Sequence, residues 1–186
     1  MTTPFASRAG QKLDHALSTF GLDVAGKTCA DLGSNTGGFV DCLLRRGAAK
    51  VYSIDTGYGV LDWKLRKDPR VVVMERTNAM HVTLPEKVDV VTIDVAWTRQ
   101  RHILPPARRM LRADGVVVTL IKPHYEADPS QLVKGVLPET DVDGVVHAVT
   151  ADILAADFTL VRTVRSPIQG AKGNVEVLAE LRAAST

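Results

Sequence analysis

Cys29-Ala30-Asp31-Leu32-Gly33-Ser34-Asn35-Thr36-Gly37-Gly38-Phe39 is an apolar run that ends in an acid, passes through a turn of small residues, and opens a helix with Phe39-Val40-Asp41-Cys42-Leu43-Leu44. Strand, tight turn and helix N-terminus in that order suit an anionic or polar ligand group. Glycines at 33, 37 and 38 carry no side chain to hold a ligand off the backbone, and the first helical turn has N–H groups without intrahelical partners. The spacing Asp-x-Gly-x-x-x-Gly-Gly is neither the Gly-x-Gly-x-x-Gly of a dinucleotide site nor the Gly-Lys-Ser/Thr of a P-loop. The next apolar run, Lys50-Val51-Tyr52-Ser53-Ile54-Asp55, ends in a second acid, placed where a carboxylate accepts hydrogen bonds from a ribose diol. Together the two acids imply a nucleoside-containing cofactor.

Outward from this turn the chain alternates helices and strands. Ser7 to Gly21 reads as a first helix with Ser7 as N-cap, Gly21 as stop, and Leu13, Ala16, Leu17 and Phe20 as its buried stripe; Lys12 lies at the edge of that stripe. The second helix ends at Gly47. Thr56-Gly57-Tyr58-Gly59 forms a loop beside Asp55, Leu61 to Arg66 a short helix, and Val71 to Glu75 a third buried strand. Arg76-Thr77-Asn78 leaves that strand at the ligand-binding edge, where the Asn78 amide either reads an adenine or only makes a turn. Val88 to Asp94 is a fourth strand ending in an acid. A helix over 102–111 follows, then an Asp114-Gly115 turn and a strand from Val116 to Ile121 that ends at Lys122-Pro123. Ala127 to Thr140, with Pro129, Gly135 and Pro138, predicts a mobile loop over the carboxyl edge. Val142, Val145, Val146, Val149 and Ile153 stripe the last helix, and Phe158 to Arg165 and Asn174 to Arg182 read as two antiparallel strands. The expected fold is a seven-stranded, mainly parallel α/β sheet with helices on both faces and a C-terminal antiparallel hairpin.

Composition narrows the function classes. A chain of 186 residues that is 45% hydrophobic suffices for one domain, expected to span 1–186. No apolar run has membrane-spanning length, and Met1 to Arg8 carries no signal-peptide core, so a cytoplasmic protein with no membrane partner is expected. Cys29 and Cys42 are read as reduced core residues, and no His/Cys cluster has metal-site spacing. The net charge of +2 permits a nucleic-acid partner without requiring one. The basic pairs Arg45-Arg46, Arg66-Lys67, Arg99/Arg101 and Arg108-Arg109 read individually as solvated faces.

Four ionisable residues stand out by position: Lys12 on the first helix, Asp94 and Lys122 at neighbouring strand ends, and Glu176 inside an apolar run. A carboxylate in such a run must face a cation or lie at the open end of the sheet. Trp97 and Tyr125 follow the two strand ends, positioned either to stack on an unstacked base or to pack beneath a loop.

The ordered set Ser7-Arg8-Ala9-Gly10-Gln11-Lys12-Leu13, Asp31 to Phe39, Asp55 to Gly59, Glu75 to Asn78, Lys122-Pro123 and Gly173 to Glu176 resembles the FtsJ-like ribosomal RNA methyltransferases, in their haemolysin-A/TlyA branch. The resemblance implies a Rossmann-like methyltransferase fold, S-adenosyl-L-methionine as cofactor, and 2′-O-methylation of RNA ribose, with ribosomal RNA as acceptor. It implies a Lys-Asp-Lys-Glu tetrad of Lys12, Asp94, Lys122 and Glu176. Cofactor contacts are expected from Asp31, Gly33, Ser34, Asn35, Gly37, Gly38, Phe39, Asp55, Thr56, Asn78 and Asp94. Lys122 is the expected base, oriented by Asp94, while Lys12 and Glu176 position the hydroxyl. The chain departs from the branch in three places. It reaches the Lys12 helix almost at once, where the branch carries an S4-type RNA-binding domain, so an accessory RNA-binding partner is expected. Val95-Ala96-Trp97 stands where Leu-Ser-Phe is usual, and His124-Tyr125 where Gln-Phe is. The competing readings are an O-methyltransferase of a small hydroxylated molecule and a noncatalytic cofactor-binding protein.

Overall fold

Helix α1 (Ala9–Phe20) buries the predicted stripe of Leu13, Ala16, Leu17 and Phe20, and Gly21 ends it in the left-handed conformation, φ 60°. This is a computed structural model, and it describes residues 5–184. Arg8, not Ser7, occupies the N-cap position, yet the Ser7 hydroxyl still accepts the Ala9 N–H at 3.3 Å. The helix therefore gets the predicted cap from one residue further out.

The remaining elements are β1 (Thr28–Leu32), α2 (Gly38–Arg45), β2 (Lys50–Ile54), α3 (Trp63–Arg66), β3 (Val71–Met74), β4 (Val88–Ile93), α4 (Gln100–Met110), β5 (Leu111–Ile121), α5 (Pro123–Glu126), α6 (Glu139–Ala155), β6 (Phe158–Arg165) and β7 (Val177–Ala183). The strands form one seven-stranded sheet in the order β3-β2-β1-β4-β5-β7-β6. β1 to β5 are parallel; β7 runs antiparallel to both β5 and β6. Two apolar clusters cover its faces, one built with α1 and α2, the other with α4 and α6. Because β1 pairs with β2 on one side and β4 on the other, the strand order reverses at β1. A crevice for ligands opens beyond its carboxyl end at that point.

Four local expectations need correction. β3 is a half-exposed edge strand, with β2 as its one sheet neighbour. The Asp114-Gly115 turn is a bulge within β5: the register steps from Val88↔Leu111 to Val90↔Val116, and Arg112, Ala113 and Asp114 are pushed into solvent. β7 begins at Val177, so Glu176 sits at the entrance of the strand and not inside it. The 127–140 segment, expected as a mobile loop, is tied down by a 3-10 turn at Pro129–Gln131, a Val133↔Val136 bridge, and a hydrogen bond of 3.0 Å from the Leu137 N–H to the buried Asn174 side chain.

Candidate active site

The turn after β1 spends most of its backbone donors on the protein. The Gly33 and Ser34 N–H groups reach the Ile54 carbonyl, Gly37 N–H the Ser34 carbonyl, and Asn35 N–H the Asp55 carboxylate at 2.8 Å. The other Asp55 oxygen accepts the Gly57 N–H at 2.7 Å, so two backbone donors fix this carboxylate. The three glycines also serve close packing within the protein. A Cβ on Gly33 (φ 86°) would lie 2.6 Å from the Asp94 carbonyl oxygen; on Gly37 (φ 99°), 2.3 Å from the Leu65 side chain; on Gly38, 2.3 Å from the Ser7 hydroxyl. They let β1, β4, α1 and α3 approach one another around the crevice.

Asp31 is fully buried. One carboxylate oxygen accepts the Thr92 hydroxyl at 2.7 Å; the other has no partner. Burial pushes its carboxyl up to about 7; the Thr92 hydrogen bond opposes the rise, and the charges of Asp94 and Asp55 add to it.

Two cavities meet beyond the strand ends. One, of about 390 Å³, is lined by Gly33, Asn35, Asp55, Thr56, Asn78 and Asp94 among others. The second, about 330 Å³, is lined by Asp31, Gly33, Ser34, Asn35, Gly38 and Phe39, together with Lys12, Asp94, Lys122 and Glu176. Gly33, Asn35, Asp94 and Ala96 border both. Of the expected cofactor contacts, Gly37 alone borders neither, being filled against Leu61 and Leu65. Asn78 accepts the Met80 N–H through its Oδ1 at 2.9 Å, so it makes the turn while facing the first cavity. Tyr58 is exposed, under the Arg76 guanidinium, and lines neither. A larger cavity of about 470 Å³, between the 126–131 segment and α6, includes none of the four ionisable residues.

Those four are arranged as two ion pairs on one cavity. Lys12 Nζ lies 2.5 Å from Glu176 Oε2, with both residues buried. Lys122 Nζ lies 2.7 Å from Asp94 Oδ1 and donates to the Val95 carbonyl oxygen at 2.9 Å. A neutral amine has two N–H bonds and one lone pair. In that form Lys122 would keep one N–H on the Val95 carbonyl, stay beside Asp94, and have a lone pair to offer the cavity. Beside Lys122, Tyr125 stacks on Trp97 with centroids 5.0 Å apart, and the His124 ring lies 4.2 Å from that of Tyr125. Trp97 is 84% exposed, so it is not packed beneath a loop.

Three supporting residues escaped the sequence reading. A Cβ on Gly170 would lie 2.2 Å from Glu176 Oε1, so only glycine leaves room for this carboxylate. Asn174 donates to the Gly135 and Ala171 carbonyl oxygens at 3.1 and 3.0 Å and accepts the Leu137 N–H, joining two loops at the turn that delivers Glu176. Arg99, read as a solvated cation, donates to the Tyr125 and Ala127 carbonyl oxygens and so fixes the segment after Lys122. Asn174 had a signal, a polar residue before an apolar run; the constraints on Gly170 and Arg99 are purely tertiary.

The unpartnered Asp31 oxygen asks for a cationic or hydrogen-bond-donating group, and the fixed Asp55 carboxylate keeps acceptor capacity for hydroxyls. These features fit the ammonium and ribose of S-adenosylmethionine. The model of one family, FtsJ-like methyltransferase, matches residues 5–182. The chain is an FtsJ-like methyltransferase. S-adenosylmethionine is the cofactor of this family. The chain is 40% identical over 181 residues to Hemolysin A of Brachyspira hyodysenteriae, covering 94% of this chain and 75% of that protein. It is also 40% identical over 192 residues to the 16S/23S rRNA (cytidine-2′-O)-methyltransferase TlyA of Mycobacterium tuberculosis, covering 96% of this chain and 68% of TlyA. A solved candidate hemolysin from Streptococcus thermophilus superposes with a TM-score of 0.96 at 36% identity, covering all of this FtsJ-like methyltransferase and 70% of that chain.

Proposed function

We propose that this methyltransferase methylates a ribose 2′-hydroxyl of RNA, with ribosomal RNA as its acceptor. The observation that carries the reading is the convergence of both Lys–carboxylate pairs, Lys12–Glu176 and Lys122–Asp94, on one cavity beside the Asp31 crevice. TlyA, named for this reaction on rRNA, supports the choice of acceptor.

S-adenosylmethionine supplies an electrophilic methyl group on a sulfonium. Asp31, Asn35, Asp55, Thr56 and Asn78 would hold the cofactor across the two cavities. Lys122, neutral at the moment of reaction, accepts the proton of the ribose hydroxyl as its oxygen attacks. Asp94 pairs with the Lys122 amine and the Val95 carbonyl accepts from it, which holds the nitrogen at the cavity. The Lys12 ammonium, held by Glu176, faces the same cavity and stabilises negative charge developing on that oxygen. Trp97 and Tyr125 offer a stacking face for the base of the acceptor nucleotide.

The test is transfer of labelled methyl to total RNA and, separately, to an RNA-free small-molecule extract. Wild type labels RNA, and Lys122→Ala lowers the rate by about a hundredfold or more while retaining cofactor binding. Label confined to small molecules overturns the acceptor, and full activity in Lys122→Ala overturns the base.

A further inference from the structure

Among the buried titratable groups on the cavity, one has no role above. His124 follows Lys122-Pro123 on α5, is 9% exposed, and lines the cavity shared by the two ion pairs. Among the described residues it is the sole buried polar side chain with no hydrogen bond: Lys12, Asp31, Ser34, Ser53, Thr92, Gln100, Thr119, Asn174, Glu176 and Glu180 each have at least one. Its Nδ1 is enclosed without a partner, whereas Nε2 is not enclosed with it. The enclosed nitrogen is out of a ligand's reach, so the nitrogen left for a bound group is Nε2, which no protein group engages.

The ring's chemistry narrows what that is. Burial, and then the charge of Lys122, hold the imidazole below its usual range, so the ring is neutral and has one N–H and one lone pair. An orphaned buried N–H is less tolerated than an unused lone pair, so the enclosed Nδ1, with no acceptor in reach, carries the lone pair and the hydrogen sits on Nε2. The Tyr125 ring against it, itself stacked on Trp97, fixes its plane. We infer that His124 offers its Nε2–H to a hydrogen-bond-accepting oxygen of the acceptor nucleotide next to the reacting hydroxyl, selecting and positioning that nucleotide without taking its proton. This rests on the RNA reading above. In a nucleotide the candidate oxygens are the O2 of a pyrimidine and a nonbridging oxygen of the 3′-phosphate.

The experiment compares wild type, His124→Phe and His124→Gln in methyl transfer to RNA, with S-adenosylhomocysteine affinity as the check on the fold and cofactor site. His124→Phe keeps the ring contact but has no donor, and raises the KM for RNA about tenfold at unchanged S-adenosylhomocysteine affinity. His124→Gln restores a donor and returns KM to within about threefold of wild type. An unchanged KM in His124→Phe overturns the inference, as does equal impairment of both variants, which would point to packing. Acceptor RNA carrying a 2-thiopyrimidine or a 3′-phosphorothioate at the methylated nucleotide separates the two oxygens: the correct substitution removes the difference between wild type and His124→Phe. If neither does, the inference falls. A wild type inactive on RNA overturns the RNA reading and this inference together, whereas an active wild type with indistinguishable variants overturns only this one.

Discussion

A carboxylate with no exposed surface and one idle oxygen responds to pH, and Asp31 does so in two opposite ways. Its carboxyl, near 4 in the unfolded chain, stands at about 7 in the fold, so between those values the folded state binds the extra proton. Stability contributed by Asp31 is therefore lost as pH rises through that window. The difference in thermal midpoint between wild type and Asp31→Asn should move in favour of Asp31→Asn as pH climbs from 5 to 7. Cofactor affinity runs the other way, because a cationic group beside Asp31 favours the ionised form. Titration calorimetry should show wild-type affinity rising through about pH 7, by up to about tenfold per unit below it, with the slope absent in Asp31→Asn. At this scale the sequence was informative: acids and lysines closing apolar runs were visible as outliers, since a charge at a strand end is expensive anywhere but at an open edge. The pairing of Lys12 with Glu176 was not visible, because it joins residues 164 apart and depends on where α1 crosses the sheet.

The loop entering β7 acts as a unit with the 133–137 segment. Asn174 is its buried tie, and Asn174→Ala leaves the Leu137 N–H and the Gly135 and Ala171 carbonyls without their partner. That loss should cost about 2 kcal/mol, measurable as a lower denaturant midpoint. Gly170→Ala reaches the ion pair through the same loop. The new methyl group meets the movable end of Glu176, so the chain still folds, but the carboxylate leaves Lys12. A drop in kcat of about a hundredfold is expected, together with a lower thermal midpoint because the buried Lys12 loses its partner. Element types and order were legible from periodicity and from glycine and proline punctuation. Boundaries at β5 and β7 were not: a bulge reads like a turn, and an apolar run does not show which of its residues find a ladder partner.

For the whole molecule, a net charge of +2 gives little long-range steering, so RNA must be gripped by local contacts. Affinity for RNA should nonetheless fall as salt rises, on a linear log–log plot whose slope counts the phosphates engaged; a small uncharged acceptor would give a flat line. Filter binding between 50 and 200 mM salt distinguishes the two. The topology, read from alternating elements closed by a hairpin, was predictable as a class. That β7 lies between β5 and β6 follows from the sheet order.

That insertion has a consequence for how the enzyme comes into being. β6 precedes β7 in the chain but lies outside it, so β6 has no sheet neighbour until β7 slots into the gap beside β5. Glu176 is the residue that leads β7 in. The crevice around Asp31 and Asp55 needs only β1, β2 and β4, whereas Lys12 waits for a carboxylate that arrives with β7. During synthesis, Asp31 and Asp55 are in place along the chain well before the strand that brings Glu176, and the insertion that closes the sheet is also the one that completes the Lys12–Glu176 pair.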